Sequence, residues 1–335
     1  MLIIHIFLLI LGFFLLVKGA DYLVEGSAAT ARKYHISEIV IGLTLVSFGT
    51  SFPELIVNII AALKHENDLV LGNVVGSNIF NTAAILGIAG LFAPMAVHLR
   101  TFRYEIPFSV FITLLLPAMG MGWLGTGSGL LSTVDALILL MLFAAYLYYI
   151  FYFMKKDRQI LIKLAETIEV PPFSGLKTVL YIIGGIIAVV WGGKLVVDNA
   201  VVLAESWGVS RKLISITIIS AGTSLPELAT SLVAALKRKS DLAIGNIVGS
   251  NIFNILLVLG SSAAIRPIAY SRGFNLDILF FLGILLLLFA MLLMGKNKEL
   301  KKKESLVLLL LFFSYMIWLF IREGILLPGV MKSLS

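Results

Sequence analysis

Apolar residues run along this chain in stretches long enough to cross a bilayer, with polar residues gathered in short intervals between them. Ten such stretches lie near residues 2–24, 36–62, 70–94, 106–122, 132–154, 176–203, 210–236, 242–264, 275–294 and 305–321. Hydrocarbon offers no partner to an exposed backbone amide, so each stretch must satisfy its own hydrogen bonds as a helix. Runs such as Leu137–Ala145 lack the two-residue alternation of a barrel strand. The pattern predicts an all-α integral membrane protein with ten transmembrane helices. The longest polar interval, residues 155–175, leaves no room for a soluble domain.

Displaced by 173 positions, the sequence aligns with itself without a gap. Residues 45–82 and 218–255 are identical at 22 of 38 positions. They share G-T-S-x-P-E-L, then A-A-L-K, D-L, G-N and V-G-S-N-I-F-N. The same register pairs Gly19 with Gly192, Glu25 with Asp198 and Ser37 with Ser210. Each repeat holds five apolar stretches, and an odd number sends the second half into the membrane in the opposite sense. The predicted organisation is therefore two inverted five-helix repeats, 1–154 and 176–335, joined by a short cytoplasmic loop at 155–175. The most similar parts are 36–94 and 210–264. Secondary transporters built this way bind substrate near the midplane, where the halves meet. A duplication kept for folding alone does not explain why the most identical positions are polar.

Composition agrees: 59% of residues are hydrophobic and 13% charged, with a mean hydropathy of +1.03. The net charge of +7 matters less than its placement. Loops after odd-numbered spans hold 17 of the 26 Lys and Arg, loops after even-numbered spans and the C-terminus hold seven, and Lys18 and Lys194 lie within spans. The positive-inside rule puts the odd-span loops in the cytoplasm and both termini outside, in a plasma (inner) membrane. The basic clusters read as topology signals and lipid-headgroup contacts, not as a nucleic-acid surface. The first apolar run begins at Leu2 with no basic region ahead of it, which reads as a span and not a cleaved signal. Cysteine is absent, which excludes disulfides and thiolate metal sites.

The candidate chemistry lies in the repeated strings. Ser47, Thr50, Ser51, Glu54 and Asn58 recur at spacings that share one helix face. Pro53 supplies no amide hydrogen and crowds the carbonyl of Gly49, so the helix should break just before Glu54 and free the carbonyls of residues 47–50. Ser220, Thr223, Ser224, Pro226 and Glu227 repeat the arrangement, with Ser231 replacing the asparagine. Asn73, Ser77 and Asn81 form a second stripe, as do Asn246, Ser250 and Asn254. Gly72, Gly76, Gly245 and Gly249 should let another helix approach closely. Together these segments offer two carboxylates, amide oxygens, hydroxyls and carbonyls. Hard cations take such all-oxygen sets, and calcium uses about six to eight oxygens; transition metals would want imidazole or thiolate. A mid-span glutamate costs about 2.5–3.5 kcal/mol on insertion scales, and bound cations or protons relieve it. For Asp21, Glu25, Lys194 and Asp198 the expected role is ion pairing, with Lys18 and Lys194 near Asp21 and Asp198 at helical spacing.

The duplicated G-T-S-x-P-E-L and G-N-x-V-G-S-N-I-F-N strings resemble the alpha repeats of the cation/calcium antiporter superfamily, prokaryotic sodium/calcium exchanger branch, over essentially the whole chain. The resemblance implies exchange of Na+ for Ca2+ by alternating access, the first and sixth helices sliding as a gate. By position it implies that Glu54 and Glu227 ligate both ions and that Thr50 and Thr223 give backbone oxygens. Ser51, Ser224, Ser77 and Ser250, with the carbonyls of Ser47 and Ser220, match sodium positions. Asn81 and Asn254 match the remaining pair. Some relatives, including potassium-dependent ones, carry aspartate where Asn254 stands. No cofactor, obligatory protein partner or calcium-sensing domain is implied. The alternatives are a H+/Ca2+ antiporter, an intramembrane hydrolase using the paired glutamates, and a passive channel. The aromatic group Tyr146, Tyr148, Tyr149, Phe151, Tyr152 and Phe153 reads as an interfacial belt, the four histidines as scattered, and Gly184, Gly185, Gly192 and Gly193 as packing or sliding positions.

Overall fold

The computed structural model describes residues 2–123, 129–165, 174–208, 220–295 and 298–322, without the side chains of 156–165 and Ser220. Eight helices are long and apolar enough to cross a membrane, and a bent pair makes a ninth crossing among the described residues. We number them α1 (Leu2–Tyr34), α2 and α3 (the bent pair, Glu38–Thr50 and Phe52–Leu63), α4 (Asn67–Phe92) and α5 (Thr101–Gly120). They continue with α6 (Thr133–Ala165), α7 (Gly175–Ser206), α8 (Leu225–Leu236), α9 (Ser240–Ile265), α10 (Phe274–Met294) and α11 (Lys302–Arg322). The expected stretch at 210–236 appears as the helical turn Ser220–Gly222 followed by α8; its first part, with Ser210, Arg211 and Lys212, lies outside the described residues. Helix α6 runs on through the polar interval to Ala165, because Lys, Arg, Gln, Ile and Leu there all accept a helix readily.

The inversion is visible in small features that no apolar pattern encodes. Two antiparallel ribbons join the connecting segments: β1 (Met95–Ala96) pairs with β4 (Glu299–Leu300), and β2 (Leu130–Leu131) pairs with β3 (Ile268–Ala269). The repeat maps β1 onto β3, so the ribbons belong to opposite ends of the helices. Helix ends repeat as well. His65 and Arg238, which are 173 apart, hold left-handed φ values of 66° and 58°, and His35 at 53° has Gly208 at 79° as its counterpart. A left-handed residue closes a helix C-terminus, and glycine takes that conformation without the strain of a Cβ.

Helices α4 and α9 are the most buried, with α2, α3 and α8 packed around them. Helices α1 and α7 lie against each other in antiparallel contact outside this centre. Their seam is glycine-lined. A Cβ on Gly12 would fall 2.9 Å from the Gly192 carbonyl, and one on Gly185 would fall 2.7 Å from Leu23 N and 2.9 Å from the Gly19 carbonyl. Gly12 corresponds to Gly185 and Gly19 to Gly192, so the two close contacts are exchanged by the repeat. Gly184 meets nothing within 4 Å among the described residues.

Three expectations change. Tyr146 is buried and stacked on Phe108, and the Tyr149 hydroxyl donates to Glu105 at 3.0 Å beside Arg100; only Tyr148, Phe151 and Tyr152 of the aromatic group are well exposed. Burial of Glu105 and Arg100 against α6 outcompetes an interfacial position for these two rings. Asp21 and Glu25 pair with Lys237, the latter at 2.8 Å, and not with Lys18; Lys194 lies over the Trp191 ring instead of against Asp198. Partial burial of Lys237 opposes its charge, but the hydrogen bonds and charges of Asp21 and Glu25 outweigh it and hold its pKa above the usual lysine value. Close approach at small residues occurs on α9, where a Cβ on Gly245 would lie 2.7 Å from the Ile39 carbonyl and one on Gly249 would lie 2.9 Å from Leu43 Cα. On α4, Gly72 meets only the Phe274 ring and Gly76 nothing among the described residues; Ile216, the counterpart of Leu43, lies outside them.

Candidate functional site

Both proline positions break the chain as expected. Helices α2 and α3 meet at 46°, with Ser51 between them at φ −85°, ψ 6°. Ser224 precedes α8 at φ −90°, ψ 7°, so the two breaks share one geometry. Each puts its glutamate in the first turn of the following helix, where amide dipoles favour a negative charge. Pro53 leaves the Gly49 carbonyl without its usual helical partner. The Ser47 carbonyl is not freed, because it accepts the Ser51 N–H at 2.9 Å; the break falls beyond Ser51, which still closes the last turn of α2. The Ser47 hydroxyl is spent on backbone carbonyls of Gly42 at 2.7 Å and Asn246 at 3.0 Å. The Ser220 side chain is outside the described residues.

Hydrogen bonds cross between the halves in matched pairs. Ser51 Oγ donates to Glu227 Oε1 at 2.9 Å, and its counterpart Ser224 Oγ donates to Glu54 Oε1 at 3.2 Å. Thr50 Oγ1 donates to Asn246 Oδ1 at 3.1 Å, and Thr223 Oγ1 to Asn73 Oδ1 at 3.2 Å. The third pair departs from this match: Ser250 Oγ lies 3.4 Å from Glu227 Oε1 of its own half, and Ser77 Oγ 3.1 Å from Ser224 Oγ of the other. Thus Glu54, Glu227, Ser51, Ser224, Ser77, Ser250, Thr50 and Thr223 form one cluster, as their spacing predicts.

Asn81 and Asn254 enter it by packing. Both lie in π-helical segments, Phe80–Ile85 in α4 and Asn254–Leu259 in α9. Such wider turns recur at functional sites because they displace a residue from the regular stripe. Helix α3 packs on the Asn254 segment and α8 on the Asn81 segment. Each glutamate helix therefore packs on the segment that carries the other half's asparagine.

The electrostatics are unbalanced. Glu54 and Glu227 are 1% and 0% exposed, and among the described residues no Lys, Arg or His pairs with either. Glu54 Oε2, Glu227 Oε2, Asn81 Oδ1 and Asn254 Oδ1 are buried without a hydrogen-bond partner. A buried polar atom left open costs about 1–3 kcal/mol, more if charged, and native structures rarely leave such atoms unpaired. Contrast Asp277, whose carboxylate takes Tyr315 at 2.8 Å and Arg322 at 2.9 Å. The cluster can accept positive charge, and nothing described within it supplies any.

Sequence reasoning passed over Asn78 and Asn251. They stand inside the shared G-S-N-I-F-N string, and both are buried among bonded amides. The signal was their identity in both repeats, hidden because they fall off the four-residue stripe.

The comparisons agree with the repeat. The family described as "Sodium/calcium exchanger protein" matches residues 4–152 and 177–321. "Inner membrane protein YrbG" of Escherichia coli is 36% identical over 281 residues, 81% of this chain and 85% of that protein. "Sodium/calcium exchanger MaX1" of Methanosarcina acetivorans is 30% identical over 357 aligned positions, 96% of this chain and 99% of that one. A solved structure of the sodium–calcium exchanger NCX_Mj superposes with a TM-score of 0.80 at 28% identity, covering 95% of this chain and 99% of that one.

Proposed function

The chain belongs to the sodium/calcium exchanger protein family, and on that premise we propose that it exchanges Na+ for Ca2+ through a cage centred on Glu54 and Glu227. It is a multi-pass membrane antiporter of the cation/calcium type and not an enzyme. The observation that carries the finer reading is the set of four open oxygens, two carboxylate and two amide, with no counter-charge. A calcium ion seated there neutralises both carboxylates and supplies the missing partners, and hydroxyls and carbonyls of the cluster complete a hard-cation shell. Sodium ions serve the same oxygens in the other half of the cycle. Ser51, Ser224, Ser77 and Ser250, with the carbonyls of Ser47 and Ser220, are the sodium ligands in this reading, the Ser47 carbonyl through the lone pair that the Ser51 N–H does not occupy. Thr50 and Thr223 contribute backbone oxygens. An empty cage with two uncompensated charges crosses between access states with difficulty, which couples one ion's movement to the other's.

The membrane is the plasma membrane, with the 17 basic residues of the odd-span loops on its cytoplasmic side and both termini outside. The test is calcium uptake into inverted vesicles under a sodium gradient and, separately, under a pH gradient. Uptake driven by sodium, abolished without it, is the expected result. Full-rate uptake under the pH gradient alone would replace sodium with protons as the coupling ion.

A further inference from the structure

The two asparagines of the cage are not held alike. Asn254 Nδ2 donates to Asn78 Oδ1 at 3.0 Å, and Asn78 Nδ2 donates to the Asn251 carbonyl at 3.2 Å. With its nitrogen fixed, the Asn254 amide presents Oδ1, which has no partner. The repeat maps Asn78 to Asn251 and Asn254 to Asn81, so the counterpart of this bridge would join Asn81 Nδ2 to Asn251 Oδ1. Both of those atoms are buried and unpartnered, as is Asn81 Oδ1. Asn251 is itself held, its Nδ2 donating to Thr82 Oγ1 at 2.7 Å. One bridge is made, and both atoms that would form its mate are without a partner.

We propose that Asn78 and Asn251 are positioning residues for the ion cage, each turning the opposite repeat's amide oxygen toward the ion, and that the two bridges alternate between access states. The proposal rests on the cage reading. In an inverted repeat the opposite-facing form arises when each half adopts the other's conformation. The exchange opens Asn78–Asn254 and closes Asn81–Asn251. One amide is then a preset oxygen ligand while the other is free to turn, and the roles swap with the side of access. A fixed amide binds a cation more tightly, because it has less orientational freedom to lose on binding.

The test is half-saturating calcium measured from each face, in right-side-out and inverted vesicles, for wild type, Asn78→Ala and Asn251→Ala. Each variant should weaken calcium about tenfold on one face, the loss of one buried hydrogen bond, and leave the other face near wild type. The affected faces should be opposite for the two variants. The unaffected face shows that each variant is folded; if Asn78→Ala is not recovered in membranes, Asn78→Ser, too short to reach Asn254, carries the same expectation. Equal weakening on both faces, weakening of the same face by both variants, or no change overturns the proposal. A wild type that transports no calcium overturns the cage reading, and this inference with it.

Discussion

The seam between α1 and α7 and the cluster between α2–α4 and α8–α9 are both two-fold, yet they are built from opposite materials. The seam is largely glycine against backbone, with Gly12, Gly19, Gly185 and Gly192 bringing main chains together and the His5–Asn199 hydrogen bond and the Tyr22–Tyr181 ring contact among its side-chain ties. The cluster is hydroxyl, amide and carboxylate, tied across the repeat by paired hydrogen bonds. Smooth surfaces allow sliding, whereas bonded polar groups hold distances. For the proposed exchanger the difference points to a division of labour: the outer pair would slide, while the inner segments would hold the ligand oxygens together and re-pair only their amide bridges.

The sharpest way to break that division is to remove charge from the cluster. Glu54→Gln and Glu227→Gln each leave the volume unchanged but take away half of the buried negative charge. Each should lower calcium affinity by about a hundredfold or more, as losing one member of a buried charge pair does, in an equilibrium binding assay on purified protein. Symmetry predicts comparable losses from the two variants. A variant that binds calcium as wild type would remove its glutamate from the cage.

Much of this was readable from the chain because the repeat writes each constraint twice. Pro53 and Pro226 announced two helix breaks of one geometry, and the four-residue stripes placed the serines, threonines and glutamates in one cluster. Illegible features share a physical cause: they depend on which distant segment arrives. Nothing near Asp21 in the sequence names Lys237, 216 positions away, as its partner, and a local lysine seemed the better candidate. Tyr149 looked interfacial until Glu105 and Arg100 were found packed against it. The π-helical turns at Asn81 and Asn254 are a backbone choice with no compositional mark: the four-residue spacing put both asparagines on the stripes of Ser77 and Ser250, but nothing in it showed that a wider turn begins there.

A smaller effect separates neighbouring glycines of the seam. At Gly185 an added methyl meets backbone at 2.7 Å, which cannot rotate away, whereas at Gly184 it meets open space among the described residues. Gly185→Ala should cost about 1–3 kcal/mol, the range for overpacking, and slow exchange because the seam must separate. Gly184→Ala should stay within about 0.5 kcal/mol of wild type. Thermal unfolding in detergent with parallel transport rates reads both. Equal behaviour of the two variants would mean that the seam tolerates separation and that its glycines are not what sets the contact.

The smallest effect concerns the tether between the two regions. Lys237, just beyond α8, pairs with Asp21 and Glu25 on α1, joining the end of a cluster helix to the seam. Its counterpart Lys64 has a different set of repeat-related positions, since Asp21 becomes Lys194 and Glu25 becomes Asp198 under the repeat. Two acids meet one lysine at the first end, whereas the positions related to them by the repeat at the other end carry two lysines and one acid. If pairing at the two ends exchanges with the side of access in the proposed cycle, the tether favours the state in which Lys237 is engaged. These groups are partly exposed, 29% for Lys237 and 44% for Glu25, so solvent screening limits each pair to about 0.2–1 kcal/mol. Lys237→Gln should change the ratio of exchange rates from the two faces by a few fold, while Lys64→Gln leaves it unchanged. Raising salt should shrink the wild-type bias toward that of Lys237→Gln, because screening acts on the same pairs. The cysteine-free chain lets single introduced cysteines report solvent access at each end in the same preparations. A bias that survives both high salt and Lys237→Gln would place its origin in the seam or the cluster, and the charge asymmetry between the two ends would then have no part in setting it.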